Sequence, residues 1–466
     1  MKPMTLLLLL AIAGAGCAAP FEGAMPYRPA SVRDSTEDGF ARPSVTGPEA
    51  ASEGETPPHP LTLADCVALA LERRRTVRIA DRRVLIAQDR LLEAKATVFP
   101  KITLEERYSA RVNDPGGSFG GSGTVTGRRE VSFTKLSLLV PIYDFGVSSN
   151  TRDALRRNIE AEGFRSVRAR EALTFDVTLA YYRVLEAQQI REIVADSIGV
   201  IEEQRRIAQD FLAQGLVARN DVLTADVQLS QRRQDLIRAE GNVALAVATL
   251  NRQMGLDVDA ATELSGEGEA DLWNGSYYGV LRRAIDARAD LHALRSQIAA
   301  AQAEYKAVSA GRAPRLYAFG DFNYSTDDFL LHQQWMSGGV VLEFPLFDGG
   351  VTLARLKRKH KEIAESIDVH DETVDDIVLD VKAAWLAVRD AAGRMPVARE
   401  EIRLAEENLR IVRDQYREGL LTSADVLFEE NRLSVSKSGY QTARYDYHEA
   451  YARMVHAIGG DPADAR

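Results

Sequence analysis

With 466 residues, 45% of them hydrophobic and 27% charged, the chain is long enough for two or more domains and apolar enough to bury a core. Its net charge of -10 excludes the basic face that a nucleic-acid partner requires. The two cysteines, Cys17 and Cys66, exclude a disulfide framework, and past Cys17 no run of about 18 apolar residues offers a membrane-spanning helix, so any crossing has to be made by strands.

The N-terminus has a charged start at Lys2, an apolar stretch from Leu6 to Ala13, and Gly14-Ala15-Gly16 ahead of Cys17. This layout resembles a bacterial lipoprotein signal over residues 1–17, with Cys17 as the lipidated first residue of the mature chain and Gly14 where such signals prefer leucine. Ala18 follows in place of an aspartate, which points to outer-membrane sorting. An ordinary secretory signal with an incidental cysteine is the alternative. Residues 18–60 are rich in Pro, Gly, Ser and Glu without apolar periodicity and are expected to form a disordered tether.

From Thr62 to Lys95 apolar residues recur at spacings of three and four (Leu63, Val67, Ala70, then Val84, Ala87, Leu91), which predicts one helix with Asp65 in a capping arrangement with Thr62. Pro100 ends it. The period then drops to two: Ile102, Leu104, Tyr108, Ala110 and Val112 alternate with polar residues, and Glu130 to Val140 returns as a second strand after a glycine-rich loop from Asn113 to Arg128. Beyond Pro141 a helical pattern runs to Gln214, about 100 Å at about 1.5 Å per residue. Gly215 turns the chain, and a shorter helix runs from Asp221 to Met254.

The whole order then repeats. Pro141-Ile142-Tyr143-Asp144-Phe145-Gly146 recurs as Pro345-Leu346-Phe347-Asp348-Gly349-Gly350, an offset of 204 residues from 141 to 345. The same offset carries Gly215-Leu216 onto Gly419-Leu420 and Asp221-Val222-Leu223 onto Asp425-Val426-Leu427. Upstream the offset is 214, from Pro100 to Pro314, so the loop after Asn113 is ten residues longer in the first half. Repeat 1 spans 61–256, an equatorial linker 257–275, and repeat 2 276–462. The fold class is mainly α with a transmembrane β-barrel. Four strands of membrane-spanning length cannot close a barrel, so other copies of the chain must complete it.

The export signal, the duplication, two hairpins, a proline ahead of each very long helix and the Gly-Leu…Asp-Val-Leu turn together resemble the TolC-like outer-membrane efflux family over roughly residues 61 to 461. The resemblance implies a homotrimer, a twelve-strand barrel in outer-membrane lipid and a twelve-helix tunnel across the periplasm. It implies partnership with a periplasmic adaptor and an inner-membrane pump, and passive conduction of small molecules. A duct for type I polypeptide secretion and a non-conducting envelope spacer are the alternatives, and a soluble coiled-coil scaffold is a more distant one.

Pro141 and Pro345 are expected at the strand-to-helix junctions, where a missing N–H and a fixed φ are harmless at a helix start, and Pro100 and Pro314 at the helix-to-strand junctions. The tip turns expose Leu216, Val217, Leu420 and Leu421 beside Gly215 and Gly419, and the resemblance makes them adaptor contacts. Asp425, two residues after a possible cap at Ser423, sits where a helix dipole favours an acid; the family places such an aspartate at a periplasmic gate, with Asp221 and Tyr416 as further candidates and Phe428 where a second acid can stand. Tyr108, Phe133, Tyr317, Phe319, Phe322, Tyr324 and Trp335 fall on or beside strands, consistent with an interfacial belt or barrel packing. No histidine pattern marks a metal site, and neither a phosphate loop nor a Gly-x-Ser-x-Gly turn occurs, so neither cofactor nor enzyme activity is expected.

Overall fold

The computed structural model describes residues 60–110, 116–118, 124–126, 130–266, 272–327 and 330–460. The signal, nearly all of the tether, Val112 and most of the glycine-rich loop lie outside the described residues.

Each repeat has the same helices at the same lengths around a hairpin, and repeat 1 adds a short strand pair inside its hairpin loop. Repeat 1 contains α1 (Leu63–Arg73), α2 (Arg75–Ala96), β1 (Lys101–Ala110), the short β2 (Gly116–Ser118) and β3 (Thr124–Thr126), β4 (Glu130–Tyr143), α3 (Val147–Ala213) and α4 (Arg219–Met254). Repeat 2 contains α5 (Tyr277–Ala287), α6 (Ala289–Ala310), β5 (Arg315–Ser325), β6 (Gln334–Glu343), α7 (Val351–Arg417) and α8 (Ser423–Ile458). The long helices α3 and α7 are 67 residues each, and the return helices α4 and α8 are 36 each. α7 continues through Pro396, which removes one backbone donor from its interior.

The helix expected from Thr62 to Lys95 is two helices. Arg74 adopts φ -70, ψ 129 between them, and Arg288 does the same between α5 and α6. Neither bend has a glycine or proline to announce it. It comes from packing: the bends lie against the glycines that end the return helices, where a Cβ on Gly255 would meet Arg73 at 3.2 Å and one on Gly459 would meet Arg288 at 3.0 Å. Thr62 and Asp65 form a reciprocal capping box at the start of α1.

Two equivalent cores hold the helices together. Leu63, Cys66 and Ala70 of α1 pack on Val177 and Tyr181 of α3 and on Leu250 and Met254 of α4. Val280 and Ala284 of α5 pack on Ile377 and Val381 of α7 and on Met454 and Ile458 of α8. The linker is tied to both: the Ala260 carbonyl accepts from Asn251 Nδ2 at 2.8 Å, and the Trp273 N–H donates to the Tyr447 hydroxyl at 2.7 Å.

The strands form one antiparallel sheet in the order β1-β4-β5-β6, with β2 and β3 paired separately. β1 and β6 are its edges. Around the polypeptide α3 packs against α2 and α4 on one side and α6 and α8 on the other, while α7 packs against α6 and α8.

Candidate functional site

The sheet has two chemically distinct faces. Its register sets Ile102, Leu104, Leu136, Leu138, Phe322 and Val340 on one face, all of them exposed. The other carries Thr103, Glu105, Lys135, Ser137, Asp321 and Asn323, with Lys135 Nζ 3.3 Å from Asp321 Oδ1, and the aromatic rings of Phe133, Tyr317, Phe319 and Trp335 beside them. An exposed apolar face of this extent suits hydrocarbon, and the opposite face suits water. The seven aromatics named above all lie on strands, with Phe133 and Trp335 in ring contact at 6.1 Å.

Pro100 and Pro314 immediately precede β1 and β5. Of the two prolines expected at the strand-to-helix junctions, Pro345 lies there, between β6 and α7, and the expectation for Pro141 is corrected; neither is the first residue of its helix. Pro141 lies inside β4, opposite Tyr317 at a register irregularity, and Pro345 lies two residues past β6. Helix entry belongs to the next acid in each motif. The Asp144 carboxylate accepts from the Gly146 N–H at 3.2 Å and the Ser148 N–H at 2.7 Å, and Asp348 accepts from Gly350 at 3.0 Å and Thr352 at 2.8 Å. The caps themselves, Gly146 and Gly350, have φ of 104 and 86, which glycine adopts without strain. The repeated aspartate was on view in both motifs; its reach to the helix was not.

At the opposite ends of the long helices both tips close with the same motif. Gly215 and Gly419 have φ of 72 and 78, and the Leu216 and Leu420 N–H groups donate back to Phe211 and Gln415 at 2.9 and 3.0 Å. Leu216 and Leu420 are exposed; Val217 and Leu421 are half-buried. The return helices begin differently. Thr422, not Ser423, caps α8, in a capping box whose other half is Asp425, while Ser423 is buried against Gln204. The Thr422 hydroxyl and then its N–H hold the Asp425 carboxyl below the usual range. Ala218 starts α4 with no side-chain cap, although Asp221 occupies the place of Asp425.

Tyr416 is buried, 5.7 Å from Phe211 between rings. Burial and then the Asp221 carboxylate push its phenol up, while Asp425 is held by Thr422.

A charged cluster that the sequence reading missed lies between α3, α6 and α8. Arg168 pairs with Glu171 at 3.0 Å, Arg288 pairs with Asp290, and the His456 ring stacks on Phe175 at 4.6 Å. Burial, then Arg168 and Arg288, push the His456 imidazole down to about 4. Among the described residues no group of three or more His, Cys, Asp or Glu could hold a metal ion.

A family model described as outer membrane efflux protein matches residues 66–256 and 280–460, one match to each repeat. The chain is 25% identical to the alkaline protease secretion protein AprF of Pseudomonas aeruginosa over 328 residues, 68% of each chain. It is 24% identical to the outer membrane protein TolC of Vibrio cholerae over 305 residues, 62% of this chain and 68% of that one. The solved structure of the outer-membrane channel OprN superposes with a TM-score of 0.72 at 18% identity, covering 85% of this chain and 90% of that one.

Proposed function

The chain belongs to the outer membrane efflux protein family, and on that premise we propose that it is one third of a lipid-anchored exit duct that passively conducts small molecules delivered by an inner-membrane pump through a periplasmic adaptor. It is an outer-membrane efflux channel with a helical extension into the periplasm and no catalytic step of its own.

The observation that carries the reading is the open sheet. One face exposes Ile102, Leu104, Leu136, Leu138, Phe322 and Val340, the other holds the charged Glu105, Lys135 and Asp321, and among the described residues both edges, β1 and β6, are unpaired in a single chain. In lipid such edges cost several kcal/mol for each unsatisfied group, so copies must close the sheet on itself. Three copies supply twelve strands, enough to enclose a water-filled bore. The long helices, about 100 Å by their rise, extend that bore.

The tips are the closed end in this reading. Leu216 and Leu420, with Val217 and Leu421 beneath them, offer an apolar surface to the adaptor on turns whose glycines fix the backbone. Asp425, Asp221 and Tyr416 form the constriction that opens when the adaptor engages. Cys17 carries the acyl anchor, supported by the signal-like layout before it.

Planar-bilayer conductance of the purified protein, with its mass in detergent measured on the same sample, tests the duct. A trimer with small conductance that rises on Asp425→Ala supports it; a monomer or a silent trimer overturns it in favour of an envelope spacer. The similarity to AprF, a protease secretion protein, favours polypeptide export as a second cargo class. Co-expression with an ATP-driven exporter and its substrate, followed by assay of the medium, separates the two.

A further inference from the structure

The duplication makes the inside of one chain a template for the contact between two. We propose that the α7 and β6 edge of one copy docks on the α2, α4 and β1 edge of a second copy in the register that α3 keeps against α6 and α8, so that Asp368 meets Arg78 and Asp390 meets Arg238 of the next copy. This rests on the duct reading and adds the pairing that builds it.

Within the chain, Phe164 of α3 stacks on His292 of α6 at 5.1 Å, and Arg183 of α3 lies 3.3 Å from Glu449 of α8. Glu186 of α3 accepts a hydrogen bond from Thr442 of α8. The repeat offsets, 204 for the long and return helices and 214 upstream, convert these three contacts into Asp368 with Arg78, Ala387 with Leu245, and Asp390 with Arg238.

In two of the three pairs both members change chemistry together, and in the third the acid is kept while its partner changes. A ring stack becomes an acid facing an arginine, an ion pair becomes two apolar residues, and a carboxyl–hydroxyl contact becomes another acid facing an arginine. Leu245 is 68% exposed in a single chain, as unpartnered apolar surface would be, and Asp368, Arg78, Asp390 and Arg238 are exposed as well.

Charge at the same level of the helices agrees. Between Glu365 and Asp380, α7 carries seven acids and no lysine or arginine. The segment Arg73–Arg83, which the register brings opposite, carries six arginines and one acid. Edges of opposite sign attract each other and repel their own kind, which favours side-by-side closure over back-to-back pairing. Among the described residues Asp390 pairs with Arg394 of its own helix at 3.1 Å and Arg238 with Asp235 of its own at 3.4 Å, and both are exposed enough to turn outward.

Cross-linking of the full-length protein tests the register. Ala387→Cys combined with Leu245→Cys is expected to give covalent oligomers under mild oxidation that collapse on reduction. Ala387→Cys alone and Ala387→Cys with Leu223→Cys, roughly 33 Å along the helix from Leu245, are expected to give none. Cys66 stays silent because burial pushes its thiol up to about 12. Independently, Asp368→Arg is expected to lower the trimer-to-monomer ratio about tenfold or more at unchanged helical content, and adding Arg78→Asp to restore it. A trimer by mass that shows neither cross-link nor charge rescue overturns this register and leaves the duct standing. A conducting trimer whose control pair cross-links as well as the test pair also overturns it, whereas a silent monomer removes the duct reading itself.

Discussion

The two long helices have the same length and the same place in their repeats, yet they bury very different amounts of themselves. Seventeen residues of α3 are buried against nine of α7, and Val167 is the one large exposed apolar residue of α3, whereas α7 exposes Leu353, Ile367, Leu379, Leu386, Leu404 and Ile411 among others. The difference is position. α3 has short helices on both sides, and α7 on one. A helix built for the middle of a wall but left at its margin marks where the next piece of wall belongs.

The largest effect should separate the helices by that margin. Leu386→Glu, at a site 42% exposed in one chain, is expected to abolish trimers and bilayer conductance while changing the unfolding of the chain by about 0.5 kcal/mol or less. Val167→Glu on α3 is expected to leave both intact. Gel filtration in detergent checks the pair; equal behaviour would erase the distinction between wall and margin.

Where the helices share an environment they should respond alike. Leu173 of α3 and Ile377 of α7 are repeat equivalents, 4% and 0% exposed, each in the core of its own repeat. Leu173→Ala and Ile377→Ala are each expected to cost about 2–5 kcal/mol in denaturant unfolding. A much smaller loss for Ile377→Ala would mean that the second core is not the partner of the first.

Most of this architecture was legible because the duplication states it twice. The period of two from Lys101 and the uninterrupted helical pattern after Pro141 gave the strands and long helices nearly to their ends. What was not legible depended on contacts across the fold. The bends at Arg74 and Arg288 answer to glycines at 255 and 459, some 170 residues or more away. Asp144 and Asp348 take over a helix start that the prolines had seemed to own, because a carboxylate can reach amides two and four residues on. His456 gave no signal at all, since its meaning comes from Phe175, Arg168 and Arg288 on other elements.

That histidine sharpens the comparison further, because its equivalent in repeat 1 is Arg252, an exposed residue. His456 has a folded pKa of about 4 against an ordinary 6.5. Between these values the unfolded chain binds more protons than the folded one, so stability is full above pH 6.5 and falls as pH drops toward 4. The loss should be on the order of 1–2 kcal/mol, discounted because the ring is partly open to solvent. His456→Phe keeps the stack on Phe175 and should flatten the decline in melting temperature over that window; an unchanged decline assigns it to other groups.

The smallest effect sits at the tips, where one repeat caps its return helix and the other does not. Thr422→Ala removes the hydroxyl that accepts from the Asp425 N–H and should destabilise the first turn of α8 by about 1 kcal/mol. Ala218→Thr should do the reverse for α4, because Asp221 already stands where the second half of a capping box is required. Amide exchange at residues 219–222 and 423–426 reads both. If the tips open by loosening these turns, single-channel conductance should rise with Thr422→Ala and fall with Ala218→Thr. Exchange that changes without any change in conductance would place the gate elsewhere on the tip, beside Tyr416.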